Sequence, residues 1–294
     1  MCLDGGFFLR RKFKIMRIAN VVCVYPPYKG GIGTAAYNLQ REMKARGHNV
    51  VTFVPDYGLS KDKENDQKEN VVRLKPLLKL GNGAFLPQLF SRLKNFDIIY
   101  LHYPFFGGAE AVWLFKLFNP GRKLVVRYHM DVSGLTLPAK ILSLPSRLIS
   151  NSIFKKADLI ISASFDYLRN GSLKKTFKKY KNKFLEIPYG IDTDRFKPEE
   201  KKYNKAKILF VGGLDQAHYF KGVENLIKAC SLFKNELKND WELNIVGDGN
   251  LKEVYENKAR ELGIYDKINF LGKVPDDDLP AVYRENHLTV LPSI

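Results

Sequence analysis

The sequence contains little cysteine and no long apolar run. Its three cysteines, Cys2, Cys23 and Cys230, are scattered along 294 residues, so they offer neither a disulfide framework nor a Cys-x-x-Cys metal clip. No apolar stretch reaches the ~18 residues that a membrane-spanning helix needs. The apolar part of the N-terminus is too short for a signal peptide, and residues 1–15 are interpreted as a disordered extension or a start-site artefact. These absences favour a protein of the reducing cytoplasm.

The last third of the chain carries no net charge. Residues 201–294 contain 14 basic and 14 acidic side chains, so the whole formal charge of +17 lies in the first 200 residues. Part of it is concentrated in a segment without acidic residues: Arg169, Lys174, Lys175, Lys178, Lys179, Lys181 and Lys183. No P-loop, helix-turn-helix or RNA-binding signature accompanies this charge, so nucleic acid is not an expected partner.

Three apolar residues are interleaved with these basic residues. Leu173, Phe177 and Tyr180 stand at positions i, i+4 and i+7, which is one face of a basic amphipathic helix. One interpretation is a solvated helix that docks this face on the core of its own domain. The other is attraction to an anionic membrane surface, at roughly 1 kcal/mol per basic residue. The membrane-facing residues would then be Lys174, Lys175, Lys178 and Lys179.

Strand and helix patterns alternate along the whole chain, which is typical of an α/β protein with parallel sheets. The length suggests two domains. Predicted strands of the first domain cover 17–24, 49–54, 70–74, 97–102, 123–128, 158–162 and 183–187. Predicted helices include 33–46, 84–94, 108–118 and 137–156. The charged run 61–70 is predicted to be a mobile surface loop.

A second series follows a stretch rich in Pro, Gly and Lys at 188–206, which is the predicted linker. The first domain is therefore placed at 16–187 and the second at 207–294. Predicted elements of the second domain are strand 207–211, helix 221–237, strand 241–246, helix 250–262, strand 267–270, helix 277–284 and strand 287–291. This domain is predicted to be incomplete, because it holds four strands where a doubly wound sheet commonly has six.

A glycine-rich loop follows the first predicted strand. The strand 18–24 leads through two prolines to Gly30, Gly31 and Gly33, which open a helix. The same glycines satisfy a Gly-x-Gly-x-x-Ala dinucleotide pattern, with Asp56 some twenty residues on, so an NAD-dependent oxidoreductase is an alternative. Several residues separate the strand end from the first glycine, whereas the dinucleotide fingerprint needs its glycine at the turn. That spacing argues against NAD.

A second strand–glycine–helix turn contains a lysine. The strand 208–211 leads through Gly212 and Gly213 to Lys221, directly before the next helical pattern. Backbone N–H groups and the positive end of a helix at such a turn attract phosphate, and Lys221 adds a full charge. The alternative is an ordinary turn with a solvated lysine.

These turns stand in one order with two further segments. His129 follows the predicted strand 123–128, and residues 187–196 read Ile-Pro-Tyr-Gly-Ile-Asp-Thr-Asp-Arg-Phe. Together the segments resemble retaining, nucleotide-sugar-dependent glycosyltransferases of the family 4 type, from about Met16 to the last residue. The resemblance implies the GT-B architecture, in which two Rossmann-like doubly wound domains face across a cleft and the second mainly holds the donor.

The resemblance implies transfer of a sugar from a nucleoside diphosphate donor to a hydroxyl acceptor, with retention of configuration. The implied acceptor is a polysaccharide or lipid-linked saccharide, and no metal or other cofactor is expected. His129 is expected to hydrogen-bond the transferred sugar as the catalytic residue. His102 and Tyr103 are predicted to line the acceptor side, with a structural role as the alternative for His102. His48 and His287 are predicted to be structural.

The resemblance also assigns a donor phosphate site. It implies that Gly30, Gly31 and Gly33 close over the phosphates and that Lys221 neutralises the leaving diphosphate. The family commonly has an arginine where this sequence has Gly213, so one phosphate contact is missing or comes from elsewhere, with His218 as the candidate. Residues expected near the nucleotide are Gly247, Asp248, Gly249, Lys273 and Val274. A tight turn is the alternative for the two glycines.

Family members carry two glutamates separated by seven residues, and a final helix, beyond the position that corresponds to the last residue here. Their absence predicts a truncated reading frame or a non-catalytic relative that at most binds nucleotide. The expected location is the cytoplasm, at the inner face of the cytoplasmic membrane.

Overall fold

The computed structural model describes residues 14–28, 30–59, 63–132, 144–199, 205–232 and 240–293. The chain divides into two compact units between Tyr189 and Gly190. No helix or strand is found in the described residues between Ile187 and Lys205. The boundary between the two units therefore lies in chain without regular secondary structure.

The first unit is built on a seven-stranded parallel sheet. Its strands are β1 (Arg17–Val21), β2 (Asn49–Pro55), β3 (Val71–Leu74), β6 (Ile98–Tyr103), β7 (Lys123–Tyr128), β8 (Leu159–Ser162) and β9 (Phe184–Glu186). They lie in the order β3-β2-β1-β6-β7-β8-β9. The order runs outward from β1 to β3 and then continues on the other side of β1. Such a reversal makes the β1/β6 boundary the place where an open α/β sheet binds ligands.

Seven helices of the first unit lie in its described residues: α1 (Gly31–Ala45), α2 (Lys63–Lys68), α3 (Leu89–Arg92), α4 (Gly108–Phe118), α5 (Leu144–Lys156), α6 (Phe165–Asn170) and α7 (Lys174–Lys179). Helix α1 shows why the sequence folds this way. It buries Gly33, Ala36 and Gln40, which recur on one face at helical spacing. The chain leaves this helix through Gly47, whose positive φ of 85° favours glycine.

The core of the first unit is formed by the sheet and the helices that pack on it. Phe105, Phe115 and Phe154 are its largest fully buried side chains. Each contributes about 1.5–3 kcal/mol of burial free energy relative to an exposed position. The strands are buried almost throughout, as expected where helices cover a parallel sheet. This packing fixes the ends of the strands, where the polar residues discussed below lie.

The second unit contains a four-stranded parallel sheet in the order β12-β11-β10-β13. Its elements are β10 (Ala206–Val211), α8 (Val223–Leu232), β11 (Trp241–Val246), α9 (Lys252–Glu261), β12 (Ile268–Gly272), α10 (Leu279–Arg284) and β13 (Leu288–Thr289). Phe210, Ile227, Leu243 and Ile245 form the centre of its core, and all four are fully buried. The order reverses at β10, so the loop after β10 lies at the ligand-binding position of this sheet.

The predicted α/β class and the parallel sheets are confirmed, as is each predicted strand to within a few residues. The predicted helix 84–94 is wrong in its first half. A hairpin of β4 (Leu78–Leu80) and β5 (Gly83–Phe85) precedes the short helix α3. The Gly81-Asn82 pair allows this two-residue turn, and the apolar residues around it satisfy either periodicity.

The loop predicted at 61–70 contains helix α2. Its Asp66 carboxylate accepts a hydrogen bond from Arg73 Nε at 2.7 Å, and Arg73 also donates to the Pro26 carbonyl at 2.6 Å. These contacts join α2 to strand β3 and to the loop after β1. Because they depend on residues distant in sequence, charge composition alone does not predict the helix. Residues 233–237 of the predicted helix 221–237 and residues 137–143 of the predicted helix 137–156 lie outside the described chain.

The basic segment forms two short helices, α6 and α7, interrupted at Gly171. Leu173 and Phe177 are buried in the core, and Tyr180 packs against it. The apolar face therefore docks on its own domain, as the first interpretation proposed. The four lysines Lys174, Lys175, Lys178 and Lys179 are exposed.

Candidate functional site

A row of polar side chains crosses the sheet of the first unit at its carboxyl edge. Asn20 lies on β1, His102 on β6, and His129 directly follows β7. Because these parallel strands are neighbours, residues near their ends come together. His102 Nδ1 and His129 Nε2 are 2.7 Å apart, and the two rings meet edge to edge with centroids separated by 5.0 Å and planes inclined by 20°.

The buried end of this row is anchored by hydrogen bonds from Asn20. Its side-chain oxygen lies 2.8 Å from His102 Nε2. Its amide nitrogen donates to Thr52 Oγ1 at 2.9 Å and to the Ala36 carbonyl at 3.2 Å. The polar row therefore connects β2, β1 and β6 inside the core, and each of these buried groups has a partner, as burial requires.

The outer end of the row is closed by a tyrosine. Tyr189 Oη lies 2.7 Å from His129 Nδ1, and the planes of the two rings are inclined by only 19°. The Arg127 guanidinium lies over the ring of the same tyrosine, 4.5 Å from its centroid. Arg127 is only 6% exposed, and no carboxylate of the described residues forms an ion pair with it. A buried cation thus lies beside the histidine.

Both histidines are held neutral. Burial, the neighbouring His129 and the charge of Arg127 together lower the pKa of His102 well below its ordinary value. Burial and then Arg127 lower the pKa of His129 to about 4. Neither imidazole is cationic near neutral pH, so His129 offers an uncharged ring at the edge of the sheet.

The loop that follows His129 is fixed by Asp131. Its carboxylate accepts hydrogen bonds from the hydroxyls of Tyr128 and Ser172 and, at 3.1 Å, from the Ser172 backbone N–H. Its own backbone N–H donates to Tyr167 Oη at 2.8 Å. Burial raises the pKa of Asp131, but the hydrogen bonds from Ser172 and Tyr128 outweigh it and lower that pKa. This ionised carboxylate ties the His129 loop to the start of α7.

The glycine loop lies at the β1/β6 boundary, before α1. Gly33 is packed closely, because a Cβ there would approach the Val24 carbonyl oxygen to 3.1 Å. Gly31 is different, since a Cβ added there would have no heavy atom within 4 Å. Packing therefore explains Gly33, whereas Gly31 presents open backbone at the ligand-binding position of the sheet.

In the second unit, the loop after β10 contains a paired histidine. His218 Nδ1 lies 2.8 Å and 2.9 Å from the two oxygens of Asp215. The imidazole covers Gly213, where an added Cβ would lie 2.7 Å from His218 Nδ1. The ring thus occupies the space above position 213 that a larger residue would take. Since the carboxylate accepts, His218 Nδ1 donates and Nε2 is directed away from Asp215.

Lys221 ends the same loop in a 3-10 turn over Gln216–Lys221. Its amine lies 5.5 Å from the centre of the Phe220 ring. Within the described part of the chain, no carboxylate forms an ion pair with this amine, whereas Lys228 on the next helix pairs with Glu224 at 2.6 Å. The position therefore supplies a positive charge that is not neutralised by a neighbour.

The segment 247–249 packs on the loop after β10. Leu214 N–H donates to the Asp248 carbonyl at 3.0 Å, and Gly247 N–H donates to the Gly272 carbonyl at 2.8 Å. A Cβ at Gly247 would lie 1.8 Å from the Gly212 carbonyl oxygen, and one at Gly249 would lie 2.3 Å from the Asp215 nitrogen. The close approach of the backbone thus requires glycine at both positions, as in the tight turn that was the alternative interpretation of this segment.

Lys273 and Val274 follow β12 at the same carboxyl edge as the loop after β10. The structure therefore gathers the predicted nucleotide-side residues at one end of the second sheet. Among the described residues, no group of three His, Cys, Asp or Glu side chains is positioned to hold a metal ion.

Two family models match the chain along most of its length. The model described as Glycosyltransferase Family 4 covers residues 29–195, and the model Glycosyl transferases group 1 covers residues 191–294. The first match spans more than half of the chain. This chain belongs to glycosyltransferase family 4. It is a glycosyltransferase, and the alternative of an NAD-dependent oxidoreductase is rejected.

Curated relatives of this glycosyltransferase include two named enzymes. A GDP-mannose-dependent alpha-(1-6)-phosphatidylinositol monomannoside mannosyltransferase of Mycobacterium tuberculosis is 31% identical over 280 residues, which cover 90% of this chain and 69% of that protein. The D-rhamnosyltransferase WbpZ of Pseudomonas aeruginosa is 26% identical over 228 residues, which cover 74% of this chain and 55% of that protein.

Solved structures share the fold. A sucrose-phosphate synthase from Thermosynechococcus elongatus superposes with a TM-score of 0.69 at 19% identity, covering 95% of this chain and 75% of that one. An Anabaena protein, HepE, solved in complex with UDP-glucose, superposes with a TM-score of 0.60 at 16% identity, covering 95% and 74%. These likenesses support the predicted GT-B class.

The structure separates the predicted site residues of this glycosyltransferase. His129 lies at the sheet edge, but the predicted acceptor-side residue Tyr103 is only 9% exposed and packs against Tyr128 and Phe154. It belongs to the core, because β6 continues buried to its last residue. His102 is 1% exposed and forms a hydrogen bond with His129 on the core side of that ring. Its role is therefore the structural one that was the alternative to lining the acceptor side. His48 and His287 accept backbone N–H bonds, as structural histidines do.

Sequence reasoning missed three residues of the site: Asn20, Arg127 and Tyr189. Asn20 and Arg127 are polar residues within otherwise apolar strands, and that contrast is the signal that could have found them. Tyr189 carries no such signal, because its contact with His129 joins residues 60 positions apart. In the described residues, no helix is long and apolar enough to cross a membrane.

Proposed function

We propose that this glycosyltransferase moves a sugar from a nucleoside diphosphate donor to a hydroxyl acceptor, with retention of configuration. The observation that carries this proposal is the neutral His129 at the carboxyl edge of the first sheet, directly after β7. Relatives named for sugar transfer, one of them GDP-mannose-dependent, support a nucleotide-sugar donor.

The first unit supplies the sugar-binding group. The neutral ring of His129 is suited to hydrogen-bond a sugar hydroxyl near the bond that breaks. The open backbone at Gly31 leaves room for a phosphate or sugar to approach the N–H groups that begin α1. An uncharged partner fits the transferred sugar, which carries no charge until the bond breaks.

The second unit supplies the phosphate-binding groups. Breaking the sugar–phosphate bond leaves extra negative charge on the diphosphate, and the amine of Lys221 stabilises that charge. His218 is the second proposed contact, because its ring covers Gly213 and Asp215 orients it. Gly247, Asp248 and Gly249 shape this loop through their backbone bonds, and Lys273 and Val274 border the nucleotide. We expect no obligatory metal, so activity in excess EDTA should persist.

The acceptor is proposed to be a saccharide or lipid-linked saccharide at an anionic membrane surface. The lysines of α7 are exposed, while their apolar neighbours are buried, so the attraction would be electrostatic. Helix α7 packs on α5 through Thr176 and Asn151, and α5 packs on α4 through Trp113 and Ser152. Phe118 of α4 and Leu148 of α5 are 69% and 74% exposed, and we propose that these apolar side chains add to the membrane contact.

The test is release of nucleoside diphosphate from a panel of UDP-, GDP- and dTDP-sugars, with and without a lipid-linked acceptor. His129→Asn should lower kcat by about 100-fold or more while nucleoside diphosphate still binds. Lys221→Ala should weaken nucleoside diphosphate binding several-fold by calorimetry, and the matched control Lys228→Ala should not. A wild-type chain that binds nucleotide but releases none from any sugar would support the non-catalytic alternative instead.

A further inference from the structure

We propose that Asn20 and His102 are positioning residues that fix His129 in one tautomer, with the proton on Nε2 and a bare lone pair on Nδ1. Resting on the proposed function, the inference adds that His129 accepts a hydrogen bond from a hydroxyl of its ligand and rejects an oxyanion. The tautomer is determined by neighbouring oxygen atoms that can accept a hydrogen bond but cannot donate one.

The direction of the row is set by a backbone carbonyl. The Ala36 oxygen can only accept, so the Asn20 atom at 3.2 Å from it is the amide nitrogen. The same nitrogen donates to Thr52 Oγ1, whose own proton goes to the Gln40 side-chain oxygen. The Asn20 side-chain oxygen therefore faces His102. A flipped amide would place two oxygens against each other and leave a buried donor without a partner.

The orientation of Asn20 determines the tautomer of His102. The Asn20 oxygen can only accept, so His102 Nε2, at 2.8 Å, carries a proton. His102 is fully buried, and its pKa is lowered well below the ordinary value, so the ring holds one proton and no more. His102 Nδ1 consequently has a lone pair that faces His129.

The tautomer of His102 determines that of His129. His102 Nδ1 accepts, so the proton shared across 2.7 Å comes from His129 Nε2. The pKa of His129 is lowered to about 4, so its other nitrogen is unprotonated near neutral pH. His129 Nδ1 then accepts from the Tyr189 hydroxyl at 2.7 Å. The row ends in a hydrogen-bond acceptor at the exposed edge.

The lone pair on His129 Nδ1 determines which ligand group can replace the Tyr189 hydroxyl there. A sugar hydroxyl can donate to the lone pair of Nδ1, as the Tyr189 hydroxyl does. A phosphate oxygen that carries no proton is repelled by the same lone pair. The charged and titratable groups around His129 are His102 behind it, Tyr189 in front and Arg127 beside the tyrosine. Arg127, and not His129, is the group of this cluster that suits an anion.

The first experiment is nitrogen-detected NMR of the full chain labelled with ¹⁵N-histidine, with His129→Gln used to assign the resonances. We expect wild-type His129 and His102 to show Nε2–H and unprotonated Nδ1 at pH 7.5. A protonated Nδ1 on His129 would overturn the proposal. This readout needs neither substrate nor activity, so it remains decisive even where no donor sugar turns over.

The second experiment removes the fixed acceptor behind His129. His102→Leu should allow both tautomers of His129 and lower kcat about tenfold, with a smaller change in KM. Tyr100→Phe is the matched control, because the Tyr100 ring packs 5.2 Å from His102 on the same strand but takes no part in the row. If a folded His102→Leu protein keeps His129 wholly in the Nε2–H form, the positioning role is refuted.

Failure of this inference differs from failure of the proposed function. A catalytically active protein with Nδ1–H on His129 refutes the tautomer and leaves the glycosyltransferase proposal standing. An inactive protein with the expected tautomer refutes the catalytic role and leaves the positioning by Asn20 and His102 in place.

Discussion

His102 Nδ1 and His129 Nε2 lie 2.7 Å apart, although 27 residues separate them in the chain. One imidazole is fully buried and the other reaches the edge of the sheet. Through this contact the buried His102 determines which nitrogen of His129 carries the proton, and His129 is the side chain that a ligand can reach. The same pair also makes the protein sensitive to acid, because both rings are held neutral.

Stability is expected to fall in mild acid because of His129. Its pKa is about 4 in the folded protein and 6.5 for the ordinary side chain, so between these values the unfolded chain binds a proton that the folded chain does not. Stability from this residue is thus unaffected above pH 6.5 and decreases as pH falls toward 4. The loss by pH 5 should be about 2 kcal/mol. Urea unfolding of the wild type and of His129→Gln at pH 7.5 and pH 5 measures it, and an equal loss in both would contradict the prediction.

Tyr189→Phe should increase the affinity for the donor sugar. The Tyr189 hydroxyl occupies His129 Nδ1, so a ligand hydroxyl has to replace it. Removing that hydroxyl leaves the ring in place and should strengthen binding by about two- to tenfold, the effect of one hydrogen bond. Calorimetry with a nucleotide sugar, set against the free nucleoside diphosphate as control, measures the change. Weaker binding of the sugar nucleotide would show that Tyr189 supports the ligand.

Gly31→Ala should separate ligand approach from folding. A Cβ at this position meets no atom within 4 Å, so the melting temperature should be unchanged or slightly higher. If phosphate or sugar approaches the backbone here, affinity for the nucleotide sugar should fall about tenfold or more. Gly121→Ala is the matched control, because a Cβ there also meets no atom within 4 Å, far along the chain from the loop. Equal affinity in both variants would remove Gly31 from the site.

Reversal of the α7 lysines tests the membrane surface. Replacing Lys174, Lys175, Lys178 and Lys179 by Glu should abolish sedimentation with phosphatidylserine-containing vesicles, while wild-type binding should weaken as salt rises. Because all four side chains are exposed, the melting temperature should change little. Phe118→Ser is the companion variant for the apolar contribution. Vesicle binding that survives charge reversal would refute the electrostatic attachment.

Asp158→Asn should destabilise the first unit. Its carboxylate accepts from Lys116 Nζ at 2.8 Å, Lys123 Nζ at 3.0 Å and Leu124 N at 2.9 Å. Burial opposes its ionisation, but Lys116 and the other donors lower the pKa of Asp158 to about 2. Lys116 is only 8% exposed, so losing the carboxylate should cost about 2–4 kcal/mol in urea unfolding. Glu42→Gln, which removes an exposed ion pair with Arg46, should cost less than about 1 kcal/mol.

The strands were predictable because a buried parallel sheet requires continuous apolar runs. Helix α4 was predicted at 108–118 and observed at Gly108–Phe118, since its apolar face repeats clearly between two breaks in the pattern. The hairpin at 78–85 and helix α2 were not predicted. In both, the local pattern allows more than one structure. Arg73 joins α2 to the Pro26 carbonyl, and the hairpin is fixed by the bond from Ala84 N–H to the Phe106 carbonyl.

The sequence by itself determined the α/β class, the order of the elements, the family resemblance and the position of His129 after a strand. Those properties are encoded in local periodicity and in motifs that are continuous in the chain. Only the tertiary structure decided that Tyr103 belongs to the core, that His218 covers Gly213, and that Asn20, His102, His129 and Tyr189 form one row. The direction of a hydrogen bond between distant residues depends on which atoms folding brings within about 3 Å, and no local pattern contains that information.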